Sequence, residues 1–121
     1  MTNHIAIERQ GPIGLVTLNR PDRHNAFDDT LITELTEALR SMEAEDGIRC
    51  VVLSSVGKSF SAGADLNWMR RVAGASQEEN KRDAMALAAL MRTLAELRKP
   101  TIARVQGPAY GGGVGLIACC D

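Results

Sequence analysis

The residues best suited to chemistry lie in two glycine-rich stretches, residues 57–65 (GKSFSAGAD) and residues 106–115 (QGPAYGGGVG). Small residues at 62–64 and 107–113 let main-chain N–H groups approach a ligand with no side chain in the way. A loop that opens into a helix near Gly112 also aims the positive end of the helix dipole at that ligand. Two such N–H groups converging on one oxygen make an oxyanion hole, preorganised for charge developing on a carbonyl. An enolate formed from a thioester needs that stabilisation. Plain tight turns are the competing reading of the same glycines.

Other glycine motifs are weaker. A phosphate-binding loop ending in Gly57-Lys58-Ser59 needs a glycine where Val52 stands. Ser61-Ala62-Gly63 lacks the first glycine of a nucleophile elbow, which Ser59 replaces, and no histidine or acid offers itself as a partner. Residues 113–118 match the G-x-G-x-x-A dinucleotide fingerprint. They begin well after the preceding strand, and the ribose-binding acid would fall beyond Asp121. A dinucleotide-binding module therefore stands as the alternative of a different class.

The elements that must position these loops follow from periodicity. Residues 5–9 and 13–18 read as strands around a Gln10-Gly11-Pro12 turn, and residues 19–26 as a polar loop. Asp28 or Asp29 caps a helix running to about Glu45, with Leu31, Leu35, Ala38, Leu39 and Met42 on its buried face. Cys50 to Leu53 is a continuous apolar run, expected to be a strand buried on both faces. Ser76 and Glu79 form a capping box for a helix reaching about Arg98, with Ala84, Leu87, Ala88, Met91, Leu94 and Ala95 as its expected stripe. Residues 101–105 read as a strand, and residues 114–120 as the first turns of another helix. Strands alternating with helices give an α/β class.

Composition narrows the function. A formal net charge of −1 lacks the basic excess of a nucleic-acid binder, and 3% aromatic residues leave little for base stacking. The cysteines, Cys50, Cys119 and Cys120, are odd in number and contain no C-x-x-C, so neither a disulfide framework nor a zinc site follows. Buried thiols in a reducing compartment are the expectation. With no secretory pattern at the N-terminus and no apolar run of spanning length, a cytoplasmic location and no membrane partner are expected.

Three segments carry a resemblance. Leu18-Asn19-Arg20-Pro21 with Asn25-Ala26-Phe27, residues 60–66 (FSAGADL), and Lys99-Pro100-Thr101-Ile102-Ala103 followed by residues 107–113 (GPAYGGG) resemble the enoyl-CoA hydratase/isomerase, or crotonase, family. The resemblance runs in order over nearly the whole chain. It implies a spiral of strand-strand-helix turns, of which residues 1–121 are the N-terminal part of a single domain, with homotrimers or hexamers when complete. It implies an acyl-CoA substrate, coenzyme A entering only as part of it, with no metal and no separate cofactor. By resemblance, the N–H groups of Ala64 and Gly112 form the oxyanion hole. Arg23, His24, Ala26, Ala62, Ala64, Asp65, Leu66, Tyr110 and Gly112 then fall where substrate and coenzyme A bind. Asp65 also reads as a helix cap, and Arg23 and His24 equally as a solvated loop.

One departure matters. Typical hydratases of the family carry a glutamate two places after the third glycine, and Gly115 stands there, unable to act as acid or base. The family's second glutamate would lie beyond Asp121. Residues 62–69 (AGADLNWM) with residues 113–121 (GVGLIACCD) look most like the methylglutaconyl-CoA hydratase branch and the hydratases of acyclic terpene breakdown. The resemblance thus implies hydration of a branched 2-enoyl-CoA, with an isomerase or hydrolase of the same fold as alternatives. This stretch alone is expected to be inactive, and a non-catalytic fragment stands beside the dinucleotide-binding module as an alternative of a different class. Trp68 is expected near the acyl end or in the core.

Overall fold

The computed structural model describes residues 4–121. Strands β1 (Ile5–Gln10) and β2 (Ile13–Leu18) form an antiparallel hairpin around Gly11, whose φ is +58°. A single 3-10 turn over Pro21–Arg23 leads to helix α1 (Asp29–Ala44), followed by β3 (Cys50–Ser55). Helices α2 (Leu66–Ala73) and α3 (Gln77–Ala95), strand β4 (Thr101–Ala103) and helix α4 (Gly112–Cys119) complete the chain. The sheet order is β1-β2-β3-β4, with β2, β3 and β4 mutually parallel. Parallel neighbours need long crossovers, which α1 supplies between β2 and β3 and α2 with α3 between β3 and β4.

Capping residues set the helix starts. The Asp28 carboxylate accepts from the Leu31 N–H at 2.8 Å, and the Ser76 hydroxyl accepts from the Glu79 N–H at 3.1 Å. Each satisfies an N–H that the first helical turn leaves without a partner. The expected face of α1 is the buried one, extended by Ile32 and Thr36. It packs with Val16, Leu18, Val51 and Leu53 of the sheet into one core, where Leu39 is completely enclosed.

Three expectations change. Strand β3 alternates, with Val51 and Leu53 buried and Cys50 and Val52 only half-buried, so among the described residues its second face is partly covered. On α3 the buried side chains are Leu90 and Leu94, flanked by half-buried Leu87 and Met91, while Ala84, Ala88 and Ala95 are exposed. That helix packs against α1 and α4, which selects a stripe rotated from the expected one. Strand β4 is also shorter than the expected residues 101–105. Its Ile102 is exposed, as are Val105, Tyr110 and Val114 in the segment that follows. All the cysteines are half-buried and free, and burial pushes the Cys120 thiol up.

Truncating the enclosed Leu39 to alanine in the full-length polypeptide should lower unfolding free energy by about 2–5 kcal/mol. Chemical denaturation measures this, and an unchanged midpoint would contradict the packing of α1 on the sheet.

Candidate active site

The two glycine loops meet because β3 and β4 are parallel neighbours, so the chain leaves both at the same, carboxyl end of the strands. Beyond the strands the pairing continues. The Phe60 N–H donates to the Pro108 carbonyl and the Tyr110 N–H to the Ser61 carbonyl, each at 2.9 Å. Ser61, completely buried, donates its hydroxyl to the Asn25 carbonyl at 3.0 Å and accepts from the Gly63 N–H at 3.2 Å. A third segment joins them, as Asn25 donates its side-chain amide to the carbonyls of Val56 and Ser59. Residues 24–27, 60–65 and 108–111 thereby lie as three hydrogen-bonded layers.

This pairing leaves particular N–H groups over. The Phe27 N–H donates to the Gly63 carbonyl and the Asp65 N–H to the Phe27 carbonyl, both at 2.7 Å. In extended backbone, successive amides point to opposite sides, so the amide of Ala64 turns away from Phe27. Its N–H has no acceptor among the described residues, and neither has that of Gly112, the first residue of α4. The two leave from neighbouring points. A Cβ on Gly63, whose φ is +86°, would lie 2.9 Å from the Tyr110 carbonyl oxygen and 3.6 Å from the Gly111 Cα. Gly111 has φ +53° and ψ −122°, a combination that side chains other than glycine's hydrogen resist.

A cleft of about 610 Å³ opens beside this arrangement, lined by Arg23, His24, Ala26, Ala62, Ala64, Asp65 and Leu66 among others. All seven were expected at the site from sequence. Tyr110 and Gly112 are not among the residues lining it, and Tyr110 is exposed. Arg23 and His24 are exposed in a loop, with the His24 ring Nδ1 3.0 Å from the Ser59 hydroxyl. Asn67 and Arg70 also line the cleft and were not anticipated. Arg70 follows Leu66 by one helical turn, a spacing that could have flagged it. Trp68 belongs to the core and lines a separate cleft with Asp29, Arg71 and Ser76. The dinucleotide reading loses its geometry, since Gly113 and Gly115 both lie inside α4 instead of in a strand-to-helix turn.

Asp65 faces inward and caps α2, accepting from the Trp68 N–H at 3.0 Å. Only its backbone is left to meet a ligand in the cleft. Burial alone would raise its carboxyl, but the N–H groups of Trp68 and Asn67 and the Arg20 guanidinium outweigh that and hold it below the usual carboxylate range. Gly115, where the family glutamate was sought, is half-buried against α3, and a Cβ there would lie 3.2 Å from the Met91 methyl.

Fold and loops define an α/β chain that presents a pair of unused main-chain donors beside a cleft. Residues 8–121 match the enoyl-CoA hydratase/isomerase family, and the chain belongs to it. A crystal structure of an enoyl-CoA hydratase from Shewanella pealeana superposes with a TM-score of 0.95 at 43% identity, covering 98% of this chain and 44% of that one. The 4-chlorobenzoyl coenzyme A dehalogenase-1 of Arthrobacter is 36% identical over 98% of this chain and 44% of its own length. The 1,2-epoxyphenylacetyl-CoA isomerase of Escherichia coli is 41% identical over 84% of this chain and 39% of its own. The chain spans less than half the length of each of these proteins.

A depressed carboxyl stabilises the fold above its unfolded pKa, and that contribution is lost as pH falls through its folded pKa. Wild type should therefore be more stable than Asp65→Asn at neutral pH, with the gap closing on acidification below the usual carboxylate range. Denaturation series over pH measure it; a gap independent of pH would contradict the charged cap.

Proposed function

We propose that the protein containing residues 1–121 binds an acyl-CoA thioester in the cleft and stabilises its enolate at the N–H groups of Ala64 and Gly112. The observation that carries this reading is the pair of neighbouring donors without acceptors, held by three segments that are hydrogen-bonded to one another. The relatives support it. A hydratase, a dehalogenase and an isomerase acting on coenzyme A thioesters differ in bonds made and broken, yet a polarised thioester carbonyl serves each. In this reading residues 1–121 are the N-terminal part of one crotonase-fold domain of a cytoplasmic homotrimer or hexamer. Arg23 and His24 meet the coenzyme A portion at the exposed mouth, and the backbone of residues 62–66 holds the chain leading to the carbonyl.

The reaction we infer is addition of water to a branched 2-enoyl-CoA. A water oxygen loses a proton and bonds to C3, the C2–C3 π pair shifts to C1–C2 as the carbonyl π pair moves onto oxygen to give the enolate, and a proton is then delivered to C2 as the carbonyl re-forms. Gly115 supplies neither acid nor base to those transfers. In this reading the absence of a side chain at 115 accommodates a larger acyl group, or a substrate carboxylate that assists the proton transfer, as with a 3-methylglutaconyl group. The same glycine favours a second reading, a double-bond isomerase, which moves one proton with one base.

Loss of the conjugated enoyl-thioester absorbance, followed with the full-length polypeptide, decides between them. Faster loss with 3-methylglutaconyl-CoA than with crotonyl-CoA is expected. No loss with either, despite thioester binding, would sink hydration and direct the search to isomerisation. Gly115→Glu must displace the flexible end of Met91 and should weaken turnover of the branched substrate. Unchanged kinetics would count against the role given to that space.

A further inference from the structure

Beneath the cleft, the Arg20 guanidinium ties together the segments that carry the donor at Ala64. Its side chain is 15% exposed, and it donates to the Ala26 carbonyl at 2.9 Å. It lies 3.1 Å from Oδ2 of Asp65 and 3.3 Å from Oδ2 of Asp28. The two carboxylates are divided in the same way. Each gives its Oδ1 to a helix cap, Asp28 at the Leu31 N–H of α1 and Asp65 at the Trp68 N–H of α2. Each gives its Oδ2 to Arg20. The arginine backbone is fixed too, since its N–H donates to the Asn25 side chain at 2.8 Å and its carbonyl accepts from the Asn25 N–H at 2.9 Å.

The planar fork of arginine can hold two carboxylates and a carbonyl in fixed directions, which a lysine ammonium cannot. Ala64 sits directly before one of the clamped aspartates, and the Phe27 that pairs on either side of Ala64 sits directly before the other. Any slack at Arg20 is therefore transmitted to the amide of Ala64. We propose that Arg20 is a positioning residue for the oxyanion hole, setting the direction of the Ala64 N–H through the caps of α1 and α2. This rests on the functional reading above and names the residue on which its precision depends. A displacement of about 1 Å can cost on the order of 100-fold in rate.

The test uses the full-length polypeptide with cinnamoyl-CoA, whose conjugated absorbance moves to the red when its carbonyl is polarised by hydrogen bonds. Wild type should show the red shift on binding. Arg20→Gln and Arg20→Lys should bind the thioester with near wild-type affinity, lose most of the shift, and lose roughly 100-fold in kcat with little change in KM. Asp28→Asn keeps an oxygen to cap α1 but removes one anchor of Arg20, and should lose part of the shift while staying folded. It keeps the proposal falsifiable should the arginine variants not fold. A full red shift and unchanged kcat in the folded variants would overturn the proposal, as would loss of binding and shift in strict proportion to lost folded protein. No red shift in wild type would instead overturn the oxyanion-hole reading itself.

Discussion

The structure turns on the main-chain hydrogen bonding of the segments that meet at the two glycine loops. Most main-chain N–H groups are paired, yet the oxyanion hole proposed above needs two that are not, at exposed Ala64 and half-buried Gly112. The segments around these two donors are held by many bonds to one another. Ser61 alone joins the three layers, receiving the Tyr110 N–H on its carbonyl and donating its hydroxyl to Asn25. With Phe27 pairing to either side of Ala64, the one amide turned outward has nowhere else to go. The donor at Gly112 is free for a different reason, as the first turn of any helix leaves its N–H groups without internal partners.

The rest of the fold serves that arrangement. Parallel strands β3 and β4 deliver both loops to their carboxyl ends, where ligands of open α/β sheets commonly bind. Helix α1 covers the sheet with a largely apolar face and anchors the residue 24–27 layer through its Asp28 cap. Helix α2 begins at Asp65, so the loop carrying Ala64 ends on a rigid element. Capping, core and site are in this way one mechanical unit, and Arg20 joins the caps electrostatically.

Much of this was readable from the chain. The strands, the α1 face, the Asp28 and Ser76 caps and the glycine loops all declare themselves through spacing and residue type, and the cleft gathers seven of the residues expected there. What was not readable depends on tertiary choice. Alanines on α3 fit either of two adjacent stripes, and only packing against α1 and α4 selects Leu90 over Ala88. The apolar run of β3 says that a strand is buried without saying how far each face is covered. Arg20 looks like any loop cation until Asp28 and Asp65, distant in sequence, are found together. The neighbour of Gly115 is likewise invisible, because Met91 comes from a helix one crossover earlier.

The central claim is that the Ala64 N–H, rather than any side chain, activates the thioester carbonyl. Replacing Ala64 by lactate in a semisynthetic full-length polypeptide exchanges that N–H for an ester oxygen and leaves the side chain and its surroundings in place. The account predicts retained folding and thioester binding with kcat lowered by about 100-fold or more, the usual effect of deleting one oxyanion donor. An ester variant that binds and turns over substrate like the parent would contradict it.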